Sequence, residues 1–346
     1  MRNSDAIRFL VRLTALLPLA GALMLIDWIS LQPPIRRRFT GTLEAAADAL
    51  VSGKTIWSRA DTHDLKPLWI EHLSGPGEVL VLGSSRLMQV PHEWFQPRGV
   101  LNAAMFSGDL ADFVSIFQLC VATGKTPQLV LLDLNPTLAF EGKSSVAPAL
   151  APHYRRALLR YRIFPPTLFS GLFLLQGLRW DPRTFLHPPA WGISEAMVPD
   201  AYRMRPDGSA DWGLTESYQT PDEVESSVVA SIHRLDPTYR HWRATSQPGW
   251  FDLKILRAFL DDLQSRRIRV VVMLVPVHPV AYDFYSSQGG YDESWIRREM
   301  AARGITVVGS YSPSVAKATR ADFYDDVHVH ASLLHRLLGE GGIIQE

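Results

Sequence analysis

Two short segments hold residue types that can do nucleophilic chemistry together. Gly83-Ser84-Ser85-Arg86 follows directly on the apolar run Val79-Leu80-Val81-Leu82. A serine at a strand-to-helix turn is held at the carboxyl edge of a parallel sheet, where α/β proteins bind ligands. Gly83 permits a tight turn, and a helix start there offers backbone N–H groups to a developing oxyanion. The second segment, Phe323-Tyr324-Asp325-Asp326-Val327-His328-Val329-His330, sets a carboxylate three residues before a histidine. One loop can hold both, so that Asp325 orients the His328 imidazole. An oriented imidazole is the general base that a weak serine nucleophile requires. His330, two residues farther on, points elsewhere if the loop is not extended. Each segment also has a plain reading. A Gly-Ser-Ser turn can be chemically silent, and Asp325, Asp326, His328 and His330 can form a solvated turn or a metal site. No further ligand cluster accompanies them, so no metal is expected.

The elements that would position these residues can be read from hydrophobic pattern. Apolar runs at Val79–Leu82, 99–102, 128–134, 269–275 and 305–308 predict five strands. Leu110, Phe113, Val114, Phe117 and Val121 fall on one helical face, as do Leu253, Leu256, Phe259, Leu260 and Leu263. A further helix is predicted over 295–303. Strands alternating with helices imply an α/β fold with a mostly parallel sheet covered on both faces. Residues 144–248, rich in Pro, Arg and aromatics, interrupt this rhythm between the third and fourth strands. They read as an insertion, either a helical cap on the sheet or a lid over substrate or membrane. Two more residues belong to the same edge. His278, in Pro276-Val277-His278-Pro279 after the fourth strand, is expected at the cleft mouth. Arg86 is placed either to bind an anionic or carbonyl group or to form a structural ion pair.

Composition bounds the function. The chain has 346 residues, with 47% hydrophobic and 20% charged, enough to bury a sizeable core. Lys+Arg and Asp+Glu number 35 each, so the basic excess that a general nucleic-acid binder needs is missing. A single cysteine, Cys120, allows neither an internal disulfide nor a Cys-rich zinc site. Near the N-terminus, residues 13–31 form a stretch of about 19 mostly apolar residues interrupted only by Asp27, close to the roughly 20 needed to cross hydrocarbon. A cleaved signal peptide ending at Ala20-Gly21-Ala22 is the rival reading; the apolar residues that follow it favour an uncleaved anchor. Arg2, Arg8 and Arg12 favour an N-in orientation, although Arg36, Arg37 and Arg38 follow the span. The expected division is an anchor at 1–35, a polar, partly helical stalk at 36–77, and the α/β domain at 78–346.

Taken together, these segments resemble the SGNH/GDSL hydrolase superfamily. Within it the chain is similar to the membrane-anchored branch of the D-alanyl-transfer protein of teichoic-acid modification and of alginate O-acetylation proteins. The resemblance covers about residues 78–340 apart from the insertion. It implies a three-layer, flavodoxin-like parallel sheet with an inserted lid, preceded by one transmembrane helix. It also implies Ser85 rather than Ser84 as nucleophile, with His328 and Asp325 completing a triad. Leu101 to Asp109 looks like the family's second block, with Gly108 as an oxyanion donor beside the Ser85 N–H. In place of the third block stands Leu132-Asp133-Leu134-Asn135-Pro136, where Asn135 is the candidate third donor. Arg86, Asn102 and His278 are candidate substrate contacts. The implied function is acyl transfer, such as O-acetylation, or ester hydrolysis on an extracytoplasmic polysaccharide or envelope polymer. No cofactor is implied. The implied partners are an acyl donor, the polymer and a multispanning membrane-bound O-acyltransferase. The implied location is the inner membrane, with the catalytic domain periplasmic. A non-catalytic envelope scaffold or glycan-binding subunit retaining the fold is the alternative.

Overall fold

The structure, a computed structural model, describes residues 33–75, 77–134, 149–163, 193–194, 201–211, 220–234, 249–287 and 289–344. Helix α1 (Pro33–Val51), strand β1 (Ile56–Ser58) and helix α2 (Thr62–His72) precede β2 (Val79–Leu82). Then come β3 (Val100–Asn102), α3 (Leu110–Ala122), β4 (Leu129–Asp133) and α4 (Ala151–Arg160). Three short strands follow, β5 (Ile193–Ser194), β6 (Tyr202–Met204) and β7 (Ala210–Asp211), and then α5 (Pro221–Arg234). The chain continues through α6 (Trp250–Ser265), β8 (Arg269–Leu274), α7 (Pro279–Ser286), α8 (Ser294–Ala301), β9 (Thr306–Gly309) and α9 (Ala331–Glu340).

All five predicted strands pair in one parallel sheet, in the order β3-β2-β4-β8-β9. Every residue of β2 and of β4 is buried. Successive side chains of a strand point to opposite faces, so full burial means that both faces of the sheet are covered. Helix α3 forms where its apolar residues recur at helical spacing. Asp109 caps it, accepting from the N–H groups of Ala111 (2.8 Å) and Asp112 (3.0 Å). It packs on α6 through Phe117 and Phe259, whose rings meet edge to face with centroids 5.5 Å apart. The chain leaves β2 toward one edge of the sheet at β3 and returns to the other side of β2 at β4. This reversal makes the carboxyl ends of β2 and β4 a topological switch point, the place where open α/β sheets bind ligands.

A second, antiparallel sheet has the order β5-β1-β6-β7. It joins β1, from the segment expected to form a stalk, to three strands of the insertion. That segment lies mainly in α1, β1 and α2, and its Leu43, Ala46, Ala47, Leu50, Leu65 and Trp69 are buried in the same apolar cluster as the central strands. Within the insertion, α4 packs on α3 through the buried Tyr154, Ala157 and Leu158. The other parts of residues 144–248 lie outside the described residues except for β5, the 201–211 hairpin and α5. The apolar span at 13–31 also lies outside them. Among the described residues, no helix is long and apolar enough to cross a membrane.

Candidate active site

The turn after β2 holds Ser85 by what lies beneath it. Ser85 opens a three-residue 3-10 turn, Ser85–Leu87, instead of the longer helix expected there. Its N–H stands at the open end of that turn, where a backbone donor has no intrahelical partner. The flanking residues face inward. Ser84 donates its hydroxyl to Asp133 Oδ2 at 2.9 Å. Arg86 Nη2 donates to Asp133 Oδ1 at 2.5 Å and Arg86 Nη1 to the Val275 carbonyl at 3.2 Å. Arg86 and Asp133 are both fully buried. Burial opposes the guanidinium charge, but Asp133 outweighs it and raises the Arg86 pKa. Arg86 is therefore the structural ion-pair partner, and its side chain does not reach toward substrate. The turn can sit this close to β4 because residue 83 lacks a side chain: a Cβ on Gly83 would lie 2.9 Å from the Asp133 Cβ. The glycine serves close approach here.

The loop from Phe323 to Val329 brings the imidazole to Ser85. His328 Nε2 lies 2.7 Å from Ser85 Oγ, and His328 Nδ1 lies 2.7 Å from Asp325 Oδ2. Because the carboxylate can only accept, Nδ1 carries the proton, and Nε2 is left to accept from the serine hydroxyl. Asp325 Oδ1 also accepts from the N–H groups of Val327 (2.8 Å) and His328 (2.7 Å). Burial works to raise the Asp325 pKa, but the His328 contact and these N–H groups prevail and lower it. The loop is pinned by a bridge between Phe323 and Val329 and by Tyr324 N–H to His328 O at 3.0 Å. Gln89, just past the Ser85 turn, donates to the Val329 carbonyl at 3.1 Å and ties the two halves of the site together. It is His328 that meets Ser85; the His330 ring packs on Tyr324, with centroids 3.8 Å apart. Among the described residues, no group of three or more His, Cys, Asp and Glu side chains is arranged to hold a metal.

The other predicted contacts fall elsewhere. Asn102 is fully buried and staples the loop after the 3-10 turn. Its Nδ2 donates to the carbonyls of Leu87 (2.9 Å) and Val90 (2.8 Å), and its Oδ1 accepts from Ala104 N–H at 3.1 Å. With both ends of the amide engaged, it does not contact substrate. His278 is likewise buried and not at the cleft mouth. It packs edge-on to Phe323, with ring centroids 5.3 Å apart, and its backbone N–H donates to Asp326 O at 3.0 Å. Among the described residues its ring nitrogens have no hydrogen-bond partner, and burial lowers its pKa. Gly108 does lie beside the Ser85 turn, where an added Cβ would come 2.8 Å from the Gly83 carbonyl. Its N–H, however, donates to Met105 O at 3.2 Å within a tight turn and is not directed at an oxyanion. Asn135 lies outside the described residues.

Hydrophobic pattern and spacing did not reveal a charged cluster beside this loop. His63 Nδ1 meets Asp61 Oδ1 at 2.8 Å, and His63 Nε2 meets Asp112 Oδ2 at 3.2 Å. Burial opposes the imidazolium, but the Asp112 and Asp61 contacts raise its pKa to about 10. Comparison with models of known protein families finds no match to this chain, and no curated protein matches it.

Two measurements check the framework. Arg86→Met strands a buried carboxylate and should cost about 3–5 kcal/mol in denaturant unfolding. Arg86→Met combined with Asp133→Leu should cost less than the single change, because no unpaired charge remains. The His63 contribution to stability should be complete below its unfolded pKa of 6.5 and disappear as the pH rises through about 10. Unfolding of wild type and His63→Gln at pH 6, 8 and above 10 should therefore show a stability gap that closes with rising pH.

Proposed function

We propose that the chain is a serine-dependent acyltransferase or esterase of the SGNH type, acting on an extracytoplasmic polysaccharide or envelope polymer. The observation that carries this reading is the Ser85–His328–Asp325 relay, with 2.7 Å at each of its two side-chain contacts. Ser85 Oγ attacks the acyl carbonyl while its proton passes to His328 Nε2. Asp325 keeps the imidazole in the required tautomer and stabilises the imidazolium that forms. The Ser85 N–H is the donor nearest the developing oxyanion. His328 then returns the proton to the departing alkoxide, leaving an acyl-Ser85 ester. A second oxygen nucleophile, deprotonated by the same imidazole, releases the acyl group: water gives hydrolysis, and a sugar hydroxyl gives transfer.

The apolar stretch at 13–31 supports a tether that holds this domain outside the cytoplasmic membrane. There it would meet an acyl donor supplied by a multispanning membrane-bound O-acyltransferase. Tethering raises the effective concentration of such a partner without new contacts. The test separates the two serines. Ser85→Ala should lower ester turnover at least about 1000-fold, as removal of a triad nucleophile does. Ser84→Ala removes only a hydrogen bond to Asp133 and should retain a substantial fraction. Equal residual activity in the two variants would overturn the assignment. Undiminished polymer acylation in cells carrying Ser85→Ala would favour a scaffold.

A further inference from the structure

We infer that Lys66 is a positioning residue of this site, holding the segment after β3 at the height that sets the nucleophile turn. The inference rests on the acyl-enzyme reading above. Lys66 lies on α2 and is fully buried. Its Nζ donates to the Asn102 carbonyl at 3.0 Å and to the Ala104 carbonyl. These two carbonyls flank Ala103 in the strap that runs from β3 toward Gly108. The opposite side of the same strap is bound to the nucleophile turn. Ala103 N–H donates to Val81 O at 2.9 Å and Met105 N–H to Gly83 O at 2.9 Å. The Asn102 amide reaches the Leu87 and Val90 carbonyls beyond Ser85.

The strap is therefore held between α2, through Lys66 Nζ and through Thr62 Oγ1, which accepts Phe106 N–H at 3.0 Å, and the Gly83–Val90 turn, so a shift at the amine is passed to the residues flanking Ser85. A buried side chain that serves only packing does not require an amine, since desolvating one is costly unless it is hydrogen-bonded. No carboxylate hydrogen-bonds to Lys66 among the described residues. The charge that acts on it is that of Asp207, in the insertion hairpin, whose own carbonyl accepts Asn102 N–H at 2.8 Å and whose Oδ2 accepts His92 N–H at 2.6 Å. The insertion thus closes on the same strap from outside. Burial pulls the Lys66 pKa down to about 7 against the pull of Asp207. An amine keeps at least two N–H donors in either protonation state, so both carbonyls remain served.

The test uses the full-length protein in detergent, with a fluorophosphonate probe and p-nitrophenyl acetate. Labelling at saturation counts folded sites; the labelling rate constant and kcat per labelled site report how well those sites are arranged. Lys66→Met should keep the wild-type endpoint while lowering both rates about 10- to 100-fold, since a misplacement of about 1 Å of reacting groups can cost up to that order. KM should stay within about twofold. A merely structural lysine would lower the endpoint and leave the rate per labelled site unchanged. If Lys66→Met fails to fold, Lys66→Gln, which keeps a donor but shortens its reach, is read in the same way. Wild-type rates at a full endpoint, or loss of the endpoint in both variants, would overturn the inference. An unlabelled wild type would instead overturn the acyl-enzyme reading, and this role with it.

Discussion

The site rests on one buried ion pair. Arg86 and Asp133 are sealed from solvent between the ends of β2, β4 and β8, and both residues that flank Ser85 in the chain are fixed to Asp133. With Ser84 and Arg86 turned inward, Ser85 is the residue of the turn whose hydroxyl meets the His328 loop. A buried pair of this kind is a poor source of net stability, because desolvation of two charges offsets much of their attraction. What it supplies here is geometry. The guanidinium links β4 to the Val275 carbonyl just past β8, so the turn is referenced to three strands of the sheet rather than to a mobile loop.

The rest of the fold brings the second half of the site to that point. Parallel order places the ends of β2, β4, β8 and β9 along one edge, and the chain beyond β9 returns across it with Asp325 and His328. The loop gains its shape from backbone pairing across Phe323 and Val329 and from Asp325 capping two N–H groups of its own loop. Gln89 and His278 hold it from the Ser85 turn and from the end of β8. The second sheet braces the outer edge. Its hairpin reaches the loop after Ser85 through Ala210 N–H to Met88 O at 2.7 Å.

How much of this was legible in the sequence depended on what kind of signal each part leaves. Buried parallel strands read as short apolar runs, so all five central strands could be located, as could α3 and α6 from their helical spacing. Ser85 could be placed at the carboxyl edge because it lies just beyond the end of β2, whereas His328, 19 residues past the end of β9, is read from its spacing to Asp325 and from the family resemblance. Spacing tells which edge a residue occupies, not which way its side chain turns. For that reason Asn102 and His278 are read as candidate substrate contacts while the fold uses them inside, and for Arg86 the ion-pair reading, left open beside substrate binding, is the one that holds. The partner that decides Arg86 is Asp133, which reads in sequence as one more residue of an apolar strand. Lys66 left no pattern because its partners are backbone carbonyls, and His63 was missed because the carboxylate that completes its pair, Asp112, is distant in the chain, Asp61 alone two residues away being an ordinary cap. The antiparallel sheet was hidden for a related reason: its strands are two or three residues long and drawn from segments far apart.

The central claim is that this framework makes Ser85, and not its neighbour, the nucleophile, with His328 as its base. The most direct measurement is peptide mapping by mass spectrometry of the full-length protein after fluorophosphonate treatment, for wild type and His328→Ala. The account predicts one adduct, on Ser85, that is lost or strongly slowed in His328→Ala. An adduct on Ser84 or another residue, or labelling of Ser85 that is indifferent to His328, would contradict it.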